Sequence, residues 1–361
     1  MKNRNQLLTA IMITAITGIQ IFGGWFNPVF TGTLNDTLIK EPGKTLVDEI
    51  SRETPLKTLA ERQYIRLSGG WEWLDGPKGE KNLALSRYND VTIEGTFTGT
   101  WLELYARQKG QVFDMELDAS PITRLTAPNT SQFGYIRVLN GLKRDQHKFR
   151  LRLTNRAGDK LEALSLRTDG RWKPTAFAPR QKLMGFGSST MDGCGITWGL
   201  GQAKGWETIN RGVGGTTVIK EGQFWVQRDV VPFQPDVVLV NYGSNDWFGK
   251  LPLDQFKPAY LNMFKQLAEG LPNARFVVLG IFPRSGGDEA SRLKFNQAIK
   301  DEITVSGMQD RTRYIEVANY NYEKDTLDGT HPNPAAVAGK FVPQLLPYLK
   351  NDTQLLSQKL P

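Results

Sequence analysis

The sequence predicts an α/β protein in two parts: an all-β, jelly-roll-like sandwich, followed by a three-layer α/β/α domain on a parallel five-stranded sheet. Two observations carry this. From about Gln63 to Thr168, apolar residues fall in short alternating runs separated by turn residues, the pattern of half-buried strands. After Asp169-Gly-Arg-Trp-Lys-Pro the period changes, and short apolar strands alternate with longer helical segments, which implies parallel strands covered by helices on both faces. With 361 residues, 39% hydrophobic and 10% aromatic, the chain can fill a core in each part.

Taken in order, Lys2 and Arg4 precede an apolar run, Leu7 to Phe22, and no charge interrupts the chain between Arg4 and Asp36. Residues 1–31 therefore read as a secretory signal or an uncleaved N-terminal membrane anchor, and the expected location is periplasmic, cell-envelope or extracellular. Gly18, Gly23 and Gly24 weaken the run as a spanning helix, no clean small-x-small cleavage site follows it, and a buried soluble helix stays open. Residues 32–60 read as a polar linker. The sandwich is expected over 61–170, on the alternations Val91/Ile93/Gly95, Leu102/Leu104, Phe149/Leu151/Leu153 and Leu164/Leu166, with Val112, Met115 and Leu117 grouped around an irregularity. Ser68-Gly-Gly, Asp75-Gly-Pro, Asn89-Asp and Ala157-Gly-Asp mark its turns.

In the second part, 180–352, strands are expected at Lys182–Phe186, Glu207–Asn210, Asp236–Val240, Arg275–Ile281 and Tyr314–Val317. Between the third and fourth, Phe256, Tyr260, Met263, Phe264 and Leu267 fall on one helical face of Asp254–Leu271. At the end, Asn333 can cap a helix with Pro334 in its first turn, and Val337, Phe341, Leu345 and Leu349 recur every four residues. Pro343 and Pro347 should kink or shorten it.

The net charge of +8 is concentrated: Leu142 to Lys182 holds twelve Lys or Arg against four Asp or Glu. Such a face would attract an anionic polymer or membrane, or it is an ordinary solvated surface. Nucleic acid is not expected, since no helix-turn-helix, RNP-like or Cys/His finger pattern accompanies the charge. A single cysteine, Cys194, rules out an intrachain disulfide and a Cys-based zinc site.

Four loops at expected strand ends carry unusual chemistry: Met184-Gly-Phe-Gly-Ser-Ser-Thr-Met-Asp-Gly, Asn210-Arg-Gly-Val-Gly-Gly-Thr-Thr, Asn241-Tyr-Gly-Ser-Asn-Asp and Asp328-Gly-Thr-His-Pro-Asn. Each alone is compatible with a structural turn. The last discriminates, because the chain has only two histidines and an acid three residues ahead can orient one of them. A serine hydroxyl needs a base to become a nucleophile, and imidazole is the usual one near neutral pH. His331 is the candidate; His147, in the alternating strand Gln146-His-Lys-Phe-Arg-Leu, reads as an exposed sheet residue.

Together and in order, the four loops resemble the sequence blocks of the SGNH (GDSL-like) hydrolase superfamily, across Lys182 to Lys350. The resemblance implies a flavodoxin-like α/β/α domain and a serine esterase. It assigns Ser189 as nucleophile, Asp328 and His331 as the rest of a triad, and the Ser189 amide, Gly215 amide and Asn245 side chain as an oxyanion hole. Gly212 lies close enough in sequence to leave the Gly215 match not unique. Where the family has aspartate before the nucleophile this chain has Ser188, so Ser188 is a rival nucleophile. Cys194 is a remote one, lacking papain-like surroundings. Asp192 reads as a helix cap, and Trp247 as either a wall of the acyl pocket or a core aromatic.

A β domain ahead of such a hydrolase resembles carbohydrate esterase family two, which implies removal of O-acetyl groups from a polysaccharide. Alternatives are a lipid esterase or thioesterase, and a polysaccharide O-acetyltransferase. The partner expected is an acylated polysaccharide or other ester, with no metal and no organic cofactor.

Overall fold

A computed structural model describes residues 56–74, 83–155 and 161–349. The apolar run Leu7–Phe22 lies outside them, and among the described residues no helix is long and apolar enough to cross a membrane.

The first part is a sandwich. Its strands are β1 (Leu56–Thr58), β2 (Ile65–Ser68), β3 (Glu72–Leu74), β4 (Leu83–Ser86), β5 (Thr92–Gly99), β6 (Leu102–Lys109), β7 (Val112–Leu117), β8 (Thr123–Thr126), β9 (Asn129–Leu139), β10 (Asp145–Asn155), β11 (Leu161–Thr168) and β12 (Trp172–Lys173). One antiparallel sheet runs β3-β4-β11-β6-β9 with β1 also on β11; the other runs β12-β5-β10-β7-β8 with β2 also on β5. β1 falls in the stretch read as linker, and β12 lies past residue 170, so both extend the sandwich beyond its sequence-based limits. Leu102 and Leu104 from one sheet meet Ile93, Phe149 and Leu151 from the other in a single buried core. Two of the expected alternations are interrupted. The β10–β7 register shifts between Leu153 and Asn155 opposite Val112, and the β11–β6 register shifts between Ala163 and Ser165. The second shift leaves Leu164 half-buried while Leu161, Ala163 and Leu166 fill the core.

His147 corrects the sequence reading. It is buried, because it shares the inward parity of Phe149, Leu151 and Leu153 on β10. Both ring nitrogens face acceptors, Asp118 Oδ2 at 2.8 Å and the Lys143 carbonyl at 2.8 Å. Against the pull of burial, these bonds raise its pKa. Within the basic stretch five arginines are ion-paired: Arg150 and Arg180 with Glu94, Arg152 with Asp90, Arg167 with Glu103, and Arg144 with Asp169.

The second part holds β13 (Lys182–Gly187), β14 (Glu207–Gly212), β15 (Val237–Asn241), β16 (Arg275–Leu279) and β17 (Thr312–Ile315), all parallel, in the order β14-β13-β15-β16-β17. Alternate residues feed two cores. Met184, Phe186, Val238 and Val240 pack beneath helix Leu253–Gly270, while Leu183, Val237 and Leu239 pack against Ile196, Leu200, Val337 and Phe341 on the opposite face. Phe256, Tyr260, Met263, Phe264 and Leu267 are fully buried along one stripe of the long helix. Asn333 caps the closing segment through its side-chain oxygen, which accepts from the Ala336 amide at 2.8 Å. The segment stays helical through Pro343 and Pro347 while its local winding changes, and Val337, Phe341, Leu345 and Leu349 all remain buried.

The two parts meet at the turn before β5. Asp90, at φ +65°, accepts from Arg152 Nη2 at 2.6 Å and Nε at 3.0 Å on one oxygen, and from Asn210 Nδ2 on β14 at 3.1 Å on the other. Its neighbour Asn89 donates to Asp192 Oδ1 at 3.0 Å. Asp192 therefore ties the short helix Ser189–Gly193 to the sandwich; the residue before that helix, Ser188, makes no side-chain cap and Asp192 lies within its first turn.

Candidate active site

The strand order reverses between β14, β13 and β15, and in such sheets ligands bind at the carboxyl ends of the strands near that switch. All four chemically unusual loops emerge at this edge. Gly187 ends β13; a Cβ there would stand 2.3 Å from the Asn241 carbonyl oxygen, so only glycine lets the chain turn this close to β15. Ser188 follows in extended conformation and Ser189 begins the short helix Ser189–Gly193.

Ser189 Oγ lies 2.8 Å from His331 Nε2, and His331 Nδ1 lies 2.7 Å from Asp328 Oδ2. A carboxylate only accepts, so Nδ1 carries the hydrogen and Nε2 is left to accept from the serine hydroxyl. The other Asp328 oxygen accepts from the amides of Thr330 at 3.0 Å and His331 at 2.8 Å. The His331 hydrogen bonds, with that from Thr330, hold the Asp328 carboxyl down at about 2, against the small opposing effect of burial, so it stays ionised. The loop is closed by a bridge between Thr326 and Pro332 and by the Leu327 amide donating to the His331 carbonyl at 2.9 Å. The side chains stay accessible, 32% for His331 and 55% for Asp328.

The rival nucleophiles fare differently. Ser188 Oγ is buried and finds no hydrogen-bond partner among the described residues, whereas Ser189 Oγ meets His331 Nε2. Burial, with the charges of Asp328 and Asp192, pushes the Cys194 thiol up to about 12, far from thiolate character near neutral pH.

The second loop folds over the serine. Val213 donates its amide to the Gly187 carbonyl at 3.0 Å, and a Cβ on Gly214 would stand 3.7 Å from Ser189 Cβ. Gly215 follows at φ +78°, a conformation natural to glycine that turns the peptide at this point. The third loop grips the second. Asn245 Nδ2 donates to the Thr216 carbonyl at 2.8 Å, and buried Asp246 accepts from the amides of Val218 at 3.0 Å and Ile219 at 3.2 Å. Burial pushes the Asp246 carboxyl up to about 6 in spite of those two amides. Trp247 is 3% exposed, sits in the core, and donates its indole N–H to the Asp288 carbonyl at 3.1 Å, so it is a core aromatic and not a pocket wall.

Ser189, His331, Asp328, Gly215 and Asn245 thus come from four loops at one sheet edge, an arrangement capable of acyl transfer. Asn210 is a residue that sequence reasoning passed over. Its Nδ2 donates to Asp90 and, at 2.6 Å, to the Met191 carbonyl, while its Oδ1 accepts from the Gly212 amide at 2.9 Å, so one amide fastens the serine helix, the second loop and the sandwich. The signal available was its position where an expected strand runs into the glycine-rich loop. Among the described residues, no group of three or more His, Cys, Asp or Glu is arranged to hold a metal ion.

Residues 185–338 match the family model described as GDSL-like Lipase/Acylhydrolase. Among solved structures, a family two carbohydrate esterase from Cellvibrio japonicus is similar with TM-score 0.67 and 16% identity, over 82% of this chain and 99% of that one. An acetyl xylan esterase from Butyrivibrio proteoclasticus is similar with TM-score 0.64 and 15% identity, over 82% and 98%. The salicylyl-acyltransferase SsfX3 from a tetracycline biosynthetic pathway is similar with TM-score 0.63 and 12% identity, over 81% and 96%. At these identities the likeness is one of fold, and it spans both the sandwich and the α/β/α domain. No curated protein matches the chain.

Proposed function

We propose that this chain, which carries a GDSL-like carboxylic ester hydrolase domain over residues 185–338, removes O-acetyl groups from a polysaccharide through a Ser189–His331–Asp328 triad. The observation that carries the mechanism is the continuous hydrogen-bond line from Ser189 Oγ through the His331 ring to Asp328. His331 Nε2 takes the serine proton as Oγ attacks the ester carbonyl, and Asp328 stabilises the imidazolium that results. The negative oxygen of the tetrahedral intermediate is held by the amides of Ser189 and Gly215 and by Asn245 Nδ2. Collapse expels the sugar alcohol, which takes its proton from His331. Water then attacks the acyl-enzyme by the same route in reverse and releases acetate. These steps use side chains and backbone alone.

The polysaccharide reading rests on the two-part architecture shared with the carbohydrate esterase structures. Exposure of His331 and Asp328 favours water as the acyl acceptor over a sequestered alcohol. The acetyltransferase reading draws on the likeness to SsfX3 and predicts acyl transfer to an added acceptor in preference to acetate release. Export is proposed on the basic and apolar N-terminal segment.

The test is acetate release from a panel of acetylated polysaccharides, wild type beside Ser189→Ala. Release by the wild type alone is expected. Turnover of long-chain esters with no acetate from any polysaccharide would replace this reading with a lipid esterase or thioesterase.

A further inference from the structure

One cation at the rim of the site makes no ion pair among the described residues. Arg284 lies in the loop after β16, and that loop touches the acid–base loop: the Ser285 amide donates to the Gly329 carbonyl at 2.8 Å, and a Cβ on Gly329 would stand 2.9 Å from Ser285 Cβ. On its other side the Arg284 guanidinium lies 3.7 Å from the ring centroid of Phe248, a 42% exposed residue at the end of the helix that carries Asn245. Arg284 is therefore bracketed by the loop of the base and the helix of the oxyanion amide.

Arginines elsewhere in the chain, such as Arg150, Arg152 and Arg211, are matched with carboxylates. Arg284 makes no ion pair among the described residues, and its Nε is buried without an acceptor. Burial lowers its pKa, and Asp328 is the carboxylate that pulls it back. Asp328, however, has both oxygens committed to His331 and Thr330. With the Phe248 ring over the guanidinium, its terminal N–H groups, which make no hydrogen bond among the described residues, remain for an acceptor. A carboxylate matches those donors with two oxygens.

We propose that Arg284 and Phe248 form a subsite for a carboxylate borne by the substrate, so that the acetyl ester cleaved at Ser189 belongs to an acidic, uronate-containing polysaccharide. Phe248 supplies an apolar shelf for the sugar ring and Arg284 binds its carboxylate. This inference rests on the polysaccharide esterase reading above and adds the charge class of the sugar.

The experiment compares kcat/KM on acetylated polygalacturonate with that on the same polymer after methyl esterification of its carboxyl groups, for wild type, Arg284→Ala and Arg284→Gln. The free-acid form is expected to be preferred by the wild type, and that preference is expected to fall roughly ten- to a hundredfold in both variants, the size of one charge-assisted bidentate contact. Because each ratio is taken on one preparation, partial misfolding cancels. A wild type indifferent to methyl esterification, or a preference unchanged in both variants, overturns the proposal. Absence of Ser189-dependent acetate release from acidic and neutral polymers alike overturns the polysaccharide reading itself, an outcome recognisable from the panel described above.

Discussion

Asp90→Ala tests whether the sandwich is mechanically part of the sheet edge that carries the proposed triad. The carboxylate is 3% exposed and accepts three hydrogen bonds, two from Arg152 and one from Asn210. Removing one partner of a buried pair costs about 3–5 kcal/mol when the other charge is left uncompensated. Here Arg152 keeps a 3.2 Å contact to Asp114 and lies 4.0 Å over the Trp198 ring, and Asn210 keeps the Met191 carbonyl, so the low end applies. Alanine at φ +65° adds strain of about 1 kcal/mol that Asn tolerates better. The expected loss is about 3–4 kcal/mol for Asp90→Ala and about 2 kcal/mol for Asp90→Asn, read from urea unfolding of the full chain. Slackening of Asn210 should also lower kcat on a small acetate ester several-fold. If both variants unfold within about 0.5 kcal/mol of wild type, the contact is a surface ornament and the reasoning is wrong.

Other consequences are sharper in activity. Ser189→Ala should lose at least about four orders of magnitude in kcat while Ser188→Ala stays within about tenfold, since only the former meets the base; the reverse pattern would exchange their roles. Asn245→Ala should lose roughly 2.7–4 kcal/mol of transition-state stabilisation, visible as a kcat drop of a hundredfold or more without change of fold by circular dichroism. Asp246 has a folded pKa near 6, above the ordinary carboxylate value of 3.8, so the folded state binds the extra proton between those limits. Its contribution to stability is present at about pH 4 and is lost as pH rises through 6; Asp246→Asn should flatten that slope, roughly 2–3 kcal/mol over the window, in denaturation series between pH 4 and 7.

The α/β/α half was legible because its signals are local. Each strand is a short apolar run, and the stripe of Phe256, Tyr260, Met263, Phe264 and Leu267 states its helix outright. Residues Asp328 and His331 were legible for the same reason, three positions apart in one loop. The choice between Ser188 and Ser189 was not, since adjacent hydroxyls differ only in which way the turn aims them. His147 is buried with Phe149 because the period-two register of β10, and not the polarity of the side chain, decides which face it joins. The Asp90–Asn210 contact joins residues far apart in sequence and had no local signature beyond a turn and a strand end. Ion pairing of the basic stretch was hidden similarly, because Glu94 and Glu103 come from strands that only the fold brings alongside.

The accessibility of His331 and Asp328 has a consequence for the shape of molecule that can be served. A base sunk in a deep tunnel accepts only what threads in from a free end. A base standing at the rim of a sheet edge meets an ester wherever it hangs, in the middle of a chain or beside a branch, and lets go without unthreading. Such a hydrolase should strip a polymer at interior positions from the first moments of reaction, leaving its length unchanged.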